Sequence, residues 1–357
     1  MERLLRNSAP CVAWSGTTRG HVQCANSRGQ TAKPTGASLP RACDPLHTNI
    51  HGKTLNRRIL ITGSSGLVGS ALSVSLKEAG AGLSLLDVSA EGTSRGDVRE
   101  AARVREALEG CDGVIHLAAI SRVIWGEQRP EECWDVNVNG VSNVLEAAAR
   151  AGNNPWVIFA SSREVYGQPS ALPAGEDTPL APVNVYGRAK VRGEELVEAA
   201  RRDGVRATTV RLSNVYGSPR DHADRVVPAF TKAALDGRAL RVDGEEHTFD
   251  FTFVDDVARG LLSLAMLLDE TATPPPPIHL VTGAPTTLGQ LARVAIGIAG
   301  TTSEIRQAPP RSFDVARFYG DPERARRLLG WEATVGIEAG VRLLASRFEA
   351  LDRGETI

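Results

Sequence analysis

Cysteine, aromatic residues and long apolar runs are all scarce in this chain of 357 residues. None of its five cysteines forms a CxxC pair, and its seven histidines show no HExxH spacing. The sequence therefore indicates neither a metal site nor a disulfide framework, and this cysteine usage fits the cytoplasm. No stretch approaches the ~20 consecutive apolar residues of a membrane span.

The chain also lacks an excess of either charge, since its formal net charge is −1. This balance does not favour a nucleic-acid partner, which usually selects a basic surface. Hydrophobic residues make up 42% of the chain, and alanine and glycine are plentiful. Such a composition is typical of a globular α/β protein.

Residues 1–57 show no apolar periodicity, and they carry eight Lys or Arg against two acids. We predict a disordered extension. Two interpretations are open: a native basic tail, such as a transit peptide, or a non-native extension that arises from a misassigned start of translation. Since Met266 is the only other methionine, a later start needs another codon, for example at Leu55.

Three glycines lie three residues apart in "ITGSSGLVGS", between an apolar β-rich run at 57–62 and a segment of helical spacing at 67–80. Gly63 permits a tight turn, Gly66 lets backbone N–H groups approach an anion, and Gly69 lets the helix pack close to the strand. A pyrophosphate is the natural ligand of such a helix N-terminus. The alternative is a glycine-rich turn that binds nothing.

Asp87 ends the next predicted strand, "GLSLLD", about 20 residues beyond the glycines. A carboxylate there can bind a ribose 2′-hydroxyl and repels a 2′-phosphate, so NAD is favoured over NADP. An ordinary loop aspartate is the alternative, and the nearby Arg95 leaves NADP open.

The run "GVIHLAA" at 113–119 reads as a buried parallel strand with small residues at its carboxyl end, where a cofactor lies. Strand and helix patterns alternate as far as residue ~215. The sequence therefore predicts an α/β fold: a Rossmann-like, doubly wound parallel sheet.

Tyr186 and Lys190 share one helical face in "YGRAK". The pKa of a phenol is ~10, so its use as a base at neutral pH needs neighbouring positive charge. Lys190 and an oxidised nicotinamide ring can supply that charge. A surface tyrosine beside a solvated lysine is the alternative.

The segment "VIFASSREVYG" at 157–167 reads as a strand that opens into a polar loop. Ser162 can donate a hydrogen bond to a reacting hydroxyl. Glu164 has two open interpretations, a second acid or base and a buried structural carboxylate.

Seven motifs follow one another in the order "TGSSGLVG", "HLAA", "NVNG", "SSREVYG", "YGRAK", "RLSNVYG" and "FDFTFVDDVARG". Over about residues 58–350 the chain resembles the extended short-chain dehydrogenase/reductase family of nucleotide-sugar epimerases and dehydratases. The resemblance implies an NAD cofactor, a nucleotide-sugar substrate and a homodimer formed through helices around 130–150 and 186–203.

The resemblance also implies a role for each matching residue. Ser162, Tyr186 and Lys190 would form the catalytic triad, with Glu164 as a further catalytic candidate. The cofactor-binding residues would be Gly63, Ser65, Gly66, Leu67, Val68, Gly69, Asp87, Asp97, Val98, Leu117, Ala118, Ala119, Asn137, Tyr186 and Lys190. The substrate-binding residues would be Ser162, Asn214, Val227 and Arg311.

Two positions depart from the family pattern. Phe249 stands where the family usually has an arginine that clamps the diphosphate, so Arg241 or His247 compensates or the substrate is held differently. Sugar 4,6-dehydratases carry Asp-Glu where this chain has Arg163-Glu164, which disfavours dehydration.

We therefore predict an NAD-dependent nucleotide-sugar 4-epimerase for UDP-glucose/galactose or the UDP-uronates. The alternatives are a UDP-glucuronate decarboxylase or other sugar-modifying lyase, and an NAD(P)-dependent ketone reductase. The predicted cofactor domain covers 58–217 and about 250–272. A smaller, mainly C-terminal substrate-binding domain covers 218–249 and 275–357.

Overall fold

The computed structural model describes residues 54–310 and 315–355. Its strands are β1 Arg58–Thr62, β2 Gly82–Leu86, β3 Gly113–His116, β4 Trp156–Ser162, β5 Ala207–Leu212, β6 Asn214–Tyr216, β7 Leu240–Asp243, β8 Thr248–Phe253, β9 Ile278–Leu280, β10 Pro285–Thr287 and β11 Ile305–Ala308. Its helices are α1 Leu67–Glu78, α2 Ala101–Leu108, α3 Val123–Gln128, α4 Pro130–Trp134, α5 Gly140–Arg150, α6 Val185–Arg202, α7 Val226–Leu235, α8 Val254–Glu270, α9 Leu288–Ala299, α10 Glu323–Leu329 and α11 Ile337–Asp352. None of the helices in these described ranges has the length and apolarity that crossing a membrane requires.

Among the described strands, six form a parallel sheet in the order β2-β1-β3-β4-β5-β9. The central strands β3 and β4 are buried along their whole length, because helices cover both faces of the sheet. Helices α1 and α8 contribute to the core on one face, and α2, α5 and α6 to the core on the other. The predicted doubly wound α/β fold is confirmed.

Two smaller sheets complete the described part of the chain, one of β10, β8 and β6 and one of β11 and β7. A separate apolar cluster joins them to α7, α9 and α11. The prediction assigned residues 275–357 to the smaller domain. Strand β9 lies within that range, but it pairs with β5 at the edge of the large sheet. The two-domain division itself stays a prediction.

Residues 54–57, which the sequence assigned to a disordered extension, pack against the large sheet. Leu55 is buried in the core beside α1, and its backbone N–H donates to the carbonyl of Ala79 at 2.7 Å. Arg57 pairs with Asp269 at 2.6 Å. Residues 1–53 lie outside the described residues.

Two histidines of the large sheet are buried and neutral. Burial, with the charge of Lys190, lowers the pKa of His116 to about 3. Burial, with the charge of Arg211, lowers the pKa of His279 to about 3. His116 bonds Thr62 at 2.7 Å, and His279 bonds the Tyr166 hydroxyl at 2.5 Å. Neither imidazole takes up a proton near neutral pH while the chain is folded.

We expect acid to destabilise the protein through these histidines. The unfolded chain binds their protons below its histidine pKa of ~6.5, whereas the folded chain does so only near pH 3, so stability falls between these two values. Each histidine should contribute ~1.4 kcal/mol per pH unit in that window. Urea unfolding of the wild type and of His279→Gln between pH 6.5 and 4 measures this slope. Equal slopes in the two proteins would contradict the assignment.

Candidate active site

A cleft of about 970 Å³ opens beyond the carboxyl ends of the parallel strands, where ligands bind in open α/β sheets. The segments that follow β1 to β5 form one wall, and residues of the smaller sheets and of α7 form the other. The predicted site residues that line it are Gly63, Ser65, Gly66, Leu67, Val68, Gly69, Asp87, Asp97, Val98, Leu117, Ala118, Ala119, Ser162, Glu164, Tyr186, Lys190, Asn214 and Val227.

The glycine loop joins β1 to α1 as predicted. Gly63 has a φ of +71°, in the left-handed region that favours glycine. A Cβ at Gly69 would overlap the Gly63 carbonyl and lie 2.8 Å from the Cα of Ser64, so only glycine lets α1 approach the loop this closely. The N-cap residue of α1 is Gly66, which has no side chain to accept a hydrogen bond from the first N–H groups of the helix. The first residues of the helix line the cleft. Because the first N–H groups of a helix have no partner within it, this end of α1 can serve as an anion cradle, which fits a dinucleotide pyrophosphate.

Gly69→Ala is expected to lower the free energy of unfolding by about 2 kcal/mol, because the added methyl group overlaps backbone atoms that have no room to yield. The matched control is Gly297→Ala in α9, where a Cβ meets no atom within 4 Å. That change should be neutral or stabilising by up to about 1 kcal/mol. Urea unfolding compares the two variants, and a neutral Gly69→Ala would contradict the packing assignment.

Asp87 follows β2 and lines the cleft beside the glycine loop. Its carboxylate accepts hydrogen bonds from the backbone of Ser65 at 2.9 Å and from the backbone and hydroxyl of Ser89 at 2.8 and 2.6 Å. These bonds fix the carboxylate at the position expected for a ribose partner. Arg95 forms a backbone bridge with Asp87 but does not line the cleft.

Asp97 and Val98 lie on the next segment of the same wall. Asp97 pairs with Arg99 at 2.6 Å, and this hydrogen bond lowers the pKa of the Asp97 carboxyl. The Val98 carbonyl accepts a hydrogen bond from the Asn143 amide at 2.9 Å. Asp97 is therefore held in place by Arg99 of the same loop, and Val98 by Asn143 of α5.

Asn137, predicted as a cofactor-binding residue, lies behind the residues that line the cleft. It is fully buried, in a π-helical turn that precedes α5. Its side-chain amide bonds both the N–H and the carbonyl of Ile120, at 2.8 and 3.0 Å. Asn137 does not line the cleft, and it positions the loop after β3, which does.

Helix α6 carries the tyrosine and the lysine into the cleft. The Asn184 side chain caps the helix by accepting from the N–H of Gly187 at 2.7 Å, so the first turn holds Tyr186 in a buried position. One turn later Lys190 donates to the carbonyl of Ala160 at 2.7 Å. Its ammonium lies 5.8 Å from the centroid of the Tyr186 ring.

The chain alone keeps Tyr186 as a neutral phenol. Burial raises its pKa to about 12, although a hydrogen bond with Ser162 and the charge of Arg225 act in the opposite direction. Burial also lowers the pKa of Lys190 to about 8. Of the two cations expected beside the phenol, Lys190 and an oxidised nicotinamide ring, only Lys190 belongs to this chain.

Ser162 and Glu164 lie at the end of β4, next to the tyrosine. The Ser162 hydroxyl accepts from the backbone of Glu164 at 3.2 Å. Both carboxylate oxygens of Glu164 are engaged: one pairs with Arg163 at 2.8 Å and the other accepts from the Asn184 amide at 2.8 Å. Of the two interpretations, this arrangement favours the buried structural carboxylate.

The opposite wall holds Asn214 and Val227, which line the cleft from β6 and from the start of α7. Arg311, predicted as a phosphate clamp, lies outside the described residues. Arg225 has a position that the sequence did not indicate. It donates to the Ser121 hydroxyl at 2.9 Å across the cleft, and it lowers the pKa of Tyr186.

Known proteins resemble this chain over most of its length. The family described as the NAD dependent epimerase/dehydratase family matches residues 59–277. A UDP-glucose 4-epimerase of Mycolicibacterium smegmatis is 32% identical over 304 residues, which cover 80% of this chain and 96% of that protein. A UDP-glucuronic acid decarboxylase 1 of Danio rerio is 30% identical, and the match covers 80% of this chain and 71% of that protein. The structure of a UDP-glucose 4-epimerase with UDP-glucose from Thermotoga maritima superposes with a TM-score of 0.76 at 28% identity, covering 82% of this chain and 99% of that one.

Proposed function

The chain belongs to the NAD dependent epimerase/dehydratase family, and we propose that it is a nucleotide-sugar 4-epimerase that acts on UDP-glucose and UDP-galactose or on the corresponding UDP-uronates. One observation carries the proposal. The buried Ser162, Tyr186 and Lys190 lie in the same cleft as the anion cradle of the glycine loop. A UDP-glucose 4-epimerase relative at 32% identity supports this substrate class.

The cleft fits NAD on features of the chain itself. The uncapped start of α1, together with Gly63 and Gly69, would hold the pyrophosphate, and Asp87 would hold the ribose. The nicotinamide end would lie beside Tyr186 and Lys190. When bound, NAD supplies a hydride acceptor that returns its hydride within the same cycle, together with a positive ring charge.

Tyr186 would hold the proton of the C4 hydroxyl during the reaction. Its oxygen is buried, and it interacts with Ser162, which orients the sugar hydroxyl and relays the proton. Lys190 keeps its position through the Ala160 carbonyl, and Arg225 adds positive charge from the opposite wall. The sugar must turn over between losing and regaining hydrogen at C4, for which the 970 Å³ cleft gives room.

The test is incubation of the purified protein with UDP-glucose, UDP-galactose and UDP-glucuronate, without added cofactor, followed by NMR and mass spectrometry. We expect each active substrate to form its C4 epimer with no net oxidation. Release of CO₂ from UDP-glucuronate would favour the decarboxylase. In a separate incubation with NADPH added, its consumption would favour the ketone reductase, and either outcome would replace the epimerase assignment.

We further propose that the protein is a cytoplasmic homodimer. The free thiols of Cys111 and Cys133, both buried, fit a reducing compartment. Trp134 at the end of α4 is 43% exposed and Val183 before α6 is 45% exposed, near the helices expected to form the dimer. Light scattering during gel filtration tests the dimer, and a monomer would contradict it.

A further inference from the structure

The two positions that depart from the family pattern lie in contact with each other. The guanidinium carbon of Arg163, after β4, lies 4.7 Å from the ring centroid of Phe249 in β8. A guanidinium stacks well on an aromatic face, so Phe249 holds Arg163 against the wall of the cleft. Positive charge is therefore present beside position 249 although that position carries a phenyl ring.

The Arg163 side chain is 10% exposed, and its donors are only partly used. Nη2 pairs with Glu164 at 2.8 Å, and Nε donates to the Asn214 amide oxygen at 3.3 Å. Within the described residues, Nη1 is buried without a hydrogen-bond partner. A buried donor of a permanently charged group calls for an acceptor, and Arg163 lines the cleft in which a ligand can bring one.

Arg241 and His247, the residues expected to compensate for Phe249, are placed less well. Arg241 is 75% exposed and pairs with Asp243 at 2.8 Å, so its charge is already matched in solvent. His247 packs with its ring edge toward Phe249, at 6.2 Å between centroids. Of Arg163, Arg241 and His247, only Arg163 is buried, and its hydrogen bond to Asn214 reaches the opposite wall of the cleft.

We propose that Arg163 binds an anionic oxygen of the substrate, supplied by the diphosphate or by the carboxylate of a UDP-uronate. Arg163 bonds Asn214 and Glu164 at the edge of its guanidinium and stacks on the ring of Phe249. Together these contacts fix the plane of the guanidinium. This inference rests on the proposed function and adds a substrate-binding residue to it. It also explains why Phe249 and Arg163 occur together in one chain.

The experiment is calorimetric titration of the NAD-loaded wild type and Arg163→Gln with UDP, uridine, UDP-glucose and UDP-glucuronate. A lost charge-assisted hydrogen bond should weaken binding about 30-fold for the ligands that carry the bound anion, and binding of uridine less than about 2-fold. A loss confined to UDP-glucuronate would assign the carboxylate, and a loss shared by UDP and UDP-glucose would assign the diphosphate. Equal Kd values in the two proteins, or an equal loss for uridine, would overturn the inference.

Three further variants guard against a purely structural effect. Arg163→Ser combined with Phe249→Arg should regain most of the lost UDP affinity, because it returns a guanidinium to the same contact from the other side. Arg342→Gln on α11, whose exposed arginine pairs with Glu338, controls for the change in net charge. A loss in Arg241→Gln with none in Arg163→Gln would move the role to Arg241. If the wild type epimerises its UDP-sugar while Arg163→Gln binds both UDP and UDP-glucuronate normally, only this inference fails. If the wild type binds no UDP ligand, the proposed function fails with it.

Discussion

Tyr186→Phe is expected to lower kcat by at least ~100-fold while the protein keeps its bound NAD, since a positioned acid–base group contributes ~10²–10⁴-fold. The phenyl ring fills the same buried space, in which the side chain is 8% exposed, so the fold and the cofactor pocket stay intact. Only the oxygen that accepts the C4 hydroxyl proton is removed. Steady-state kinetics with UDP-glucose measures the loss, and the absorbance of the denatured protein measures the NAD content.

The matched control is Tyr319→Phe, because Tyr319 is a half-buried tyrosine that does not line the cleft. It should keep wild-type kcat. If Tyr186→Phe retains more than about a tenth of the wild-type kcat, well above the range for loss of an acid–base group, then another group carries the proton.

Arg211→Leu is expected to cost about 3–5 kcal/mol of stability, since it leaves a buried carboxylate without its partner. Arg211 on β5 pairs with Glu194 on α6 through two bonds of 2.9 and 2.6 Å, and both side chains are less than a tenth exposed. It also donates to the Tyr166 hydroxyl and to the Glu176 carbonyl, each at 2.6 Å. Thermal unfolding should show a fall in Tm of roughly 10 °C.

Arg192→Leu on the same helix is the control for this change. Arg192 pairs with Glu195 at 2.8 Å, but both side chains are about half exposed, so the pair should contribute less than about 0.5 kcal/mol. Similar Tm values for Arg192→Leu and Arg211→Leu would show that burial of the Arg211 pair does not matter.

The spacing of residues that lie close together in the sequence predicted much of the fold and of the candidate site. The three glycines, and Tyr186 and Lys190 one turn apart, record short-range requirements: a left-handed turn, a close approach of helix and loop, and a shared helical face. Such requirements involve residues within a few positions of one another, so a single sequence shows them directly.

Contacts between distant residues were harder to predict. Arg163 and Phe249 looked like two unrelated departures, because only the fold brings the segment after β4 into contact with β8. Asn137 looked like a cofactor ligand because a motif gives residue types but not the direction of a buried amide. The assignment of β9 was wrong because a three-residue strand carries too few side chains to indicate its sheet.

The most direct test of the account follows the hydrogen at C4. UDP-glucose labelled with deuterium at C4 is incubated with the purified protein, its own bound NAD and no added cofactor, and the products are read by NMR. We predict an equilibrium mixture of UDP-glucose and UDP-galactose, with deuterium retained at C4 in both. Unchanged C4 configuration both in this substrate and in C4-deuterated UDP-glucuronate incubated in parallel, with NAD bound, or replacement of the deuterium by solvent hydrogen, would contradict the proposed mechanism.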